Sequence, residues 1–315
     1  MNKPLVLSVA KLPPFLVEPL QQHFELLDRI HESDPAGFAA RASGIRAIVG
    51  GGESKVPRSL LEQLPAVEVI SIMGVGYDGV DVQAAIERGI PVTHTPGVLN
   101  DDVADLAMAL MLGVARRLPQ ADRYVRDGKW LQGPMPLARK MSGARLGIVG
   151  LGRIGSAIAQ RAQAFGMSIS YCTRTQRKDS PFRWVADVAE LAAQVDFLVV
   201  ITPGGAGTRH LINARVLQAL GPQGYLINVA RGTVVDQAAL IDALQRNVIA
   251  GAGLDVFDGE PKVPPELIAL DNVVLTPHMA SATKETRQAM ADLAVANLVA
   301  HFAAKPLLSP VPECQ

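Results

Sequence analysis

Three ionisable side chains stand directly after β-branched runs late in the sequence. Arg231 follows Tyr225-Leu-Ile-Asn-Val-Ala, Glu260 follows Gly251-Ala-Gly-Leu-Asp-Val-Phe-Asp-Gly, and His278 follows Asn272-Val-Val-Leu-Thr-Pro. Open parallel sheets bind ligands beyond the carboxyl ends of their strands, so polar residues at those places outrank polar residues elsewhere. A guanidinium can hold a carboxylate and polarise a neighbouring carbonyl. An imidazolium can protonate the carbonyl oxygen, and a carboxylate beside it can orient the ring and raise its pKa. The set suits reduction of a 2-keto acid by hydride. Taken singly, each residue also has an ordinary reading: a hydrogen-bonding histidine near a proline, an Arg-Gly turn, a Glu-Pro loop entry. The other histidines, His23, His31, His94, His210 and His301, have no comparable partner pattern and read as structural or surface residues.

A hydride needs a donor, and the segment Arg145-Leu-Gly-Ile-Val-Gly150-Leu-Gly152-Arg-Ile-Gly155 offers a place for one. It sets G-x-G-x-x-G between a buried-strand pattern and a helix expected over Ser156–Phe165. Gly150 permits the tight turn, Gly152 lets a pyrophosphate approach the backbone, and Gly155 lets helix and strand pack closely; the helix N-terminus presents N–H groups to the anion. At the end of the next expected strand, an NAD-specific site would carry an acid for the ribose hydroxyls. Here the chain reads Tyr171-Cys-Thr173-Arg174-Thr175-Gln-Arg177. Thr173 takes the acid's place, so no carboxylate repels a 2′-phosphate, and Arg174 and Arg177 can pair with one. NADPH is therefore expected over NADH. Arg177 could equally lie on a solvated loop.

These residues need strands to carry them, and short β-branched runs alternate with helix-like stretches along nearly the whole chain, the pattern of α/β parallel sheets. Strands are expected at Leu5–Val9, Ile45–Val49, Val67–Ile72 and Pro91–Thr95, with a helix at Asp81–Arg88. A second series follows at Leu146–Val149, Ser168–Cys172, Phe197–Ile201, Tyr225–Val229, Gly251–Val256 and Val273–Leu275. Between the two series, Asn100-Asp101-Asp102 can cap a long apolar helix, Val103–Arg117, that bridges two domains and ends on two arginines. A last helix runs from Ala282 to about Phe302. The 315 residues, 49% of them hydrophobic, suit about two domains with sizeable cores. Thirty basic and thirty acidic residues leave no net pull toward nucleic acid or acidic lipid. No secretory leader is recognisable, and no apolar stretch reaches the roughly 18 residues that cross a bilayer. Two cysteines, Cys172 and Cys314, fit a reducing cytoplasm. No metal-ligating set is picked out.

Taken together, the motifs resemble those of the D-isomer-specific 2-hydroxyacid dehydrogenases across essentially the whole chain. The carrying segments are Gly74-Val-Gly-Tyr-Asp78, Thr95-Pro-Gly-Val-Leu-Asn-Asp-Asp-Val-Ala-Asp105, Gly150-Leu-Gly-Arg-Ile-Gly155, Asn228-Val-Ala-Arg-Gly232, Gly253-Leu-Asp-Val-Phe-Asp-Gly-Glu-Pro261 and Thr276-Pro-His278. Within the family the chain is most similar to glyoxylate/hydroxypyruvate and hydroxyphenylpyruvate reductases. It departs at Asn100, where such enzymes often have Thr; Asn keeps a capping oxygen.

The resemblance implies two doubly wound parallel-sheet domains. A Rossmann nucleotide domain, residues 100–287, would be inserted into a flavodoxin-like substrate domain made of 1–99 and 288–315. It implies catalytic roles for Arg231, Glu260 and His278, with His278 as general acid. The cofactor would be touched by Gly150, Leu151, Gly152, Arg153, Ile154, Gly155, Thr173, Arg174, Thr175 and Arg177. Further contacts would come from Thr202, Pro203, Thr208, Val229, Ala230, Arg231 and His278, with Asp255 on the nicotinamide carboxamide.

The backbone of Val75 and Gly76 would hold the substrate carboxylate, since a glycine turn leaves N–H groups uncovered; a plain tight turn is the other reading. Arg231 and His278 complete the substrate contacts. Met73 and Leu99 would border the substrate unless they only pack in the core. Trp130, in similar reductases, can reach the neighbouring subunit's active site, which implies a homodimer. The expected activity is NADPH-dependent reduction of glyoxylate, hydroxypyruvate or a related 2-keto acid to a D-2-hydroxy acid, in a cleft that closes between the domains. Two alternatives stay open: a nucleotide-sensing regulator of the same fold, and a dehydrogenase for a bulkier or phosphorylated 2-hydroxy acid.

Overall fold

Parallel strands covered on both faces must be apolar along their whole length, and this requirement is visible in the computed structural model, which describes residues 3–315. Met1 and Asn2, at the start of the expected first domain, lie outside the described residues. The chain divides into two compact units, Met1–Leu99 with Ala282–Gln315, and Asn100–Ser281.

The first unit contains β1 (Leu5–Ser8), β2 (Glu25–Asp28), β3 (Ile45–Gly51), β4 (Val69–Met73) and β5 (Val92–Thr93). They form one sheet in the order β2-β1-β3-β4-β5, every pair parallel. This is the flavodoxin-like order. The interior strand β4, Val-Ile-Ser-Ile-Met, is buried at every position. Helix Lys284–Phe302 lies on it and is pinned by the Ser71 hydroxyl, which donates to Ala294 O at 3.0 Å. After that helix the chain returns to the sheet edge, where Val311 N–H donates to Val92 O and Pro310 bridges Thr93 in the antiparallel sense. The second junction falls at 281/282 rather than near 288. The Thr283 side chain accepts from Thr286 N–H and caps the helix, so the whole helix goes with β4 as one rigid piece.

The second unit contains β6 (Arg145–Val149), β7 (Ser168–Cys172), β8 (Arg183–Trp184), β9 (Phe197–Val200), β10 (Tyr225–Asn228), β11 (Gly251–Leu254) and β12 (Val273–Leu275). The order is β12-β11-β10-β9-β6-β7-β8, again all parallel. The strand order reverses at β6, which has β7 on one side and β9 on the other, and such switch points open a crevice at the carboxyl ends.

The long apolar helix begins three residues before the expected Val103 and spans Asn100–Arg116. Asp101 is therefore inside its first turn rather than in front of it. Asp101 and Asp105, one turn apart, take Arg161 of helix Arg153–Ala164 at 3.0 and 2.5 Å. The long helix starts at the first junction, belongs to the second unit and packs there against that helix and against β10, β11 and β12. Of the two arginines expected at its end, only Arg116 is in the last turn; Arg117 is left-handed and starts the next helix, Leu118–Arg126.

Candidate active site

The glycine loop leaves β6 at the switch point. Gly150 has φ +104°, and a Cβ there would come within 2.7 Å of Ile201 O; a Cβ on Gly155 would come within 2.1 Å of Gly150 O. Above Gly152, in contrast, nothing lies within 4 Å of where a Cβ would be. Helix Arg153–Ala164 begins directly after Gly152 and has no side-chain cap, so its first-turn N–H groups and the positive end of its dipole face open space. A pyrophosphate fits such a cradle.

The loop after β7 is held from both ends. The buried Tyr171 hydroxyl accepts from Arg177 N–H at 2.9 Å and donates to Arg177 O at 3.3 Å. The Trp184 indole N–H donates to Thr173 O, and the Thr173 hydroxyl donates to Thr175 O. Arg177 is committed: Nη1 donates to Leu151 O at 2.6 Å, while Nε and Nη2 donate to Asp179 at 3.1 and 2.5 Å. Of the two arginines expected to meet a 2′-phosphate, Arg177 thus ties its loop to the glycine loop. Arg174 is exposed and makes no hydrogen bond or ion pair among the described residues.

Leu151 is buried, and Arg153 is exposed at the helix start. After β9, the Thr208 hydroxyl donates to Pro203 O at 2.7 Å and closes the loop that begins at Thr202. After β10, Val229 and Ala230 are buried. Asn228, 1% exposed, accepts from Ala230 N–H and donates to Arg231 O, fixing the turn that presents Arg231. The Arg231 Nη1 donates to Ala230 O at 2.8 Å.

Glu260 and His278 meet directly. The Glu260 Oε2 lies 2.7 Å from His278 Nδ1, and its Oε1 accepts from Phe257 N–H at 2.8 Å. Burial, the largest single influence, pushes the Glu260 carboxyl up. The hydrogen bonds from His278 and Phe257, with the charges of His278 and Arg231, outweigh it and hold the carboxyl below its usual range. Glu260 is therefore ionised, and because a carboxylate only accepts, Nδ1 carries the proton. His278 has φ +50°, with its own N–H on Asp255 O at 2.8 Å.

Asp255 is 1% exposed and holds the loop that follows β12. Its Oδ1 accepts from the Thr276 hydroxyl and Met279 N–H, and its Oδ2 from Ala280 N–H. The carboxylate thus shapes the loop that carries His278. Neither this role nor that of Asn228 was apparent from spacing; a buried Asp or Asn immediately before a left-handed or tight turn is the signal that finds them.

In the first unit, Met73 and Leu99 are both buried, 6% and 5% exposed, while Val75 and Gly76 are half-buried in the turn after β4.

Residues 108–280 match the family model described as D-isomer specific 2-hydroxyacid dehydrogenase, NAD binding domain. Hydroxyphenylpyruvate reductase of Plectranthus scutellarioides is 47% identical over 307 residues, covering 97% of this chain and 98% of the relative. A glyoxylate/hydroxypyruvate reductase of Arabidopsis thaliana is likewise 47% identical, with 97% and 98% covered. The NADPH-dependent glyoxylate/hydroxypyruvate reductase of Sinorhizobium meliloti, solved with NADP and malonate, superposes with a TM-score of 0.94 at 47% identity, covering 99% of this chain and 98% of that one. With both sheets, the glycine loop and near-complete coverage in agreement, the chain belongs to the D-isomer specific 2-hydroxyacid dehydrogenases.

Proposed function

We propose that this protein reduces small 2-keto acids, glyoxylate or hydroxypyruvate, to D-2-hydroxy acids with NADPH. The observation that carries this reading is the 2.7 Å contact between Glu260 and His278, on strand ends of the same sheet as the open glycine loop. NADPH, when bound, supplies the hydride. The N–H groups of the Gly150–Gly155 cradle hold its pyrophosphate, and Arg174 takes the 2′-phosphate, with Thr173 where an acid would repel it. The loops at Thr202–Thr208 and Val229–Ala230 line the remainder of the dinucleotide.

Arg231 binds the substrate carboxylate and polarises the carbonyl, helped by the N–H groups of Val75 and Gly76. His278 gives the proton on Nε2 to the carbonyl oxygen, since Nδ1 is engaged with Glu260. Glu260 fixes the ring and stabilises the imidazolium form, and Asp255 and Asn228 position the loops that present His278 and Arg231.

The active form is a homodimer built on the 118–137 segment. Trp130, Leu131 and Leu137 are 68%, 93% and 100% exposed there, a density of apolar surface that a partner would cover. Trp130 of that segment serves the neighbouring subunit's site. Among the described residues no helix is long and apolar enough to cross a membrane, and the unpaired Cys172 and Cys314 support a cytoplasmic setting.

The test is a panel of 2-keto acids assayed separately with NADPH and NADH. Glyoxylate and hydroxypyruvate should be turned over with higher kcat/KM on NADPH. Absence of oxidation of either cofactor by every keto acid would remove the proposal, and tight nucleotide binding without turnover would point to a sensing role instead.

A further inference from the structure

The turn Gly74-Val75-Gly76 owes its orientation to two consecutive residues that lie beyond β5. Thr95 N–H donates to Gly74 O at 2.8 Å, and His94 Nδ1 lies 3.0 Å from Val75 O. A carbonyl oxygen only accepts, so Nδ1 of His94 carries the proton. In a planar trans peptide the C=O of one residue and the N–H of the next point in opposite directions. Anchoring the carbonyls of Gly74 and Val75 therefore turns the N–H groups of Val75 and Gly76 the other way. Neither N–H donates to an acceptor among the described residues.

His94 is itself held firmly. It is 8% exposed, its N–H donates to Ser309 O at 3.1 Å, and its carbonyl accepts from the Ser309 hydroxyl at 2.7 Å. Ser309 hangs on Asn297, which is fully buried: the Asn297 amide donates to Ser309 Oγ at 2.8 Å and accepts from Ser309 N–H at 3.1 Å. The Tyr77 ring meets the imidazole edge-on, centroids 5.3 Å apart at 89°, and the Tyr77 hydroxyl donates to Glu313 at 2.9 Å. Burial first, then that carboxylate, pushes the Tyr77 hydroxyl up to about 12, so it stays a donor.

We infer that His94 is a positioning residue for the keto-acid carboxylate: through Val75 O it aims the N–H groups of Val75 and Gly76 at the anion, and residues 297–313 hold it in place. This rests on the reading that the 74–76 turn binds the substrate carboxylate. No role in proton transfer is involved.

His94→Leu removes the donor at similar volume. His94→Asn keeps one, because the Asn Nδ2 sits on Cγ as the His Nδ1 does. Loss of one hydrogen bond that organises an anion site corresponds to about tenfold in affinity. His94→Leu should therefore raise KM for glyoxylate about tenfold and leave KM for NADPH unchanged, and His94→Asn should restore the glyoxylate KM to within about twofold. If His94→Leu does not fold, His94→Gln replaces it, since its amide lies one methylene too far out to reach Val75 O. An unchanged glyoxylate KM in an active protein, equal rises in both KM values, or failure of Asn to rescue would overturn the inference. Long-range 1H–15N spectra of the wild type at alkaline pH read the placement without turnover. An Nδ1–H tautomer at His94 is expected, and an Nε2–H tautomer overturns it. A wild type with the Nδ1–H tautomer that reduces no keto acid would retire the reading of the turn, and with it this role.

Discussion

The interaction between Glu260 and His278 is mutual: a proton on His278 stabilises the carboxylate, and the carboxylate stabilises that proton in return. With His278 as the proposed general acid, reduction would need the protonated ring, and activity would fall as pH rises past its titration. Glu260→Gln keeps the shape and removes the charge. The alkaline limb of the reductive kcat/KM profile should then move to lower pH, read from pH–rate profiles of both proteins. A limb that stays in place would mean the carboxylate contributes no charge effect. The two arginines after β7 should separate by cofactor. Arg174→Ala should raise KM for NADPH about tenfold and spare NADH, because only NADPH carries the phosphate. Arg177→Ala releases Leu151 O and with it the anchoring of the glycine loop, so it should raise KM for both cofactors alike. The glycine loop was legible because its spacing is dictated by backbone geometry. The partners of Arg177, Asp255 and His94 were not, because a side-chain hydrogen bond depends on rotamers and on loops that sequence spacing does not specify.

At the scale of elements, β6 and β9 are joined at their starts by Asp196, whose side chain is only 12% exposed. It accepts from Arg145 N–H at 2.8 Å, from the Arg145 guanidinium at 3.0 and 3.1 Å, and from Arg139 at 3.1 Å. The Arg145 side chain, against an opposing effect of burial, holds the Asp196 carboxyl below its usual range. Such a group contributes stability above its unfolded pKa and loses it as pH falls through the folded value. Asp196→Asn should cost about 2 to 4 kcal/mol at neutral pH, measured by urea denaturation. The gap should hold above about pH 4 and close below it; a gap independent of pH would place the cost in packing rather than charge. The fold class was legible because interior parallel strands such as β4 and β9 are almost wholly apolar runs. Of the four edge strands, β5 and β12 were legible but β2 and β8 were not: β2 is Glu-Leu-Leu-Asp, acidic at both ends, and β8 is two residues long. Edges are kept short and charged to discourage pairing with other chains, and that erases the pattern that marks a strand. The start of helix Asn100–Arg116 was misread because Asn and Asp favour caps in general, whereas here Asp101 serves Arg161 from inside the first turn.

For the whole molecule, the exposed apolar segment makes association testable. Replacing Leu131 and Leu137 together by Ser should convert a dimer into a monomer by light scattering, with unfolding of the monomer at lower denaturant; a wild type already monomeric would dispose of the dimer. The division of the chain has a further result. Residues 100–281 are continuous, whereas β1 to β5 must wait for helix Lys284–Phe302 and for Val311 before β4 is covered and the outer edge of β5 is met. On the ribosome, the inserted unit has everything it needs before the outer one does. The apolar face of Val69–Met73 stays bare while some two hundred more residues are made, roughly 10 to 40 s at ordinary elongation rates. That interval, more than the final stability of either unit, is when the nascent chain is most open to chaperones and to aggregation.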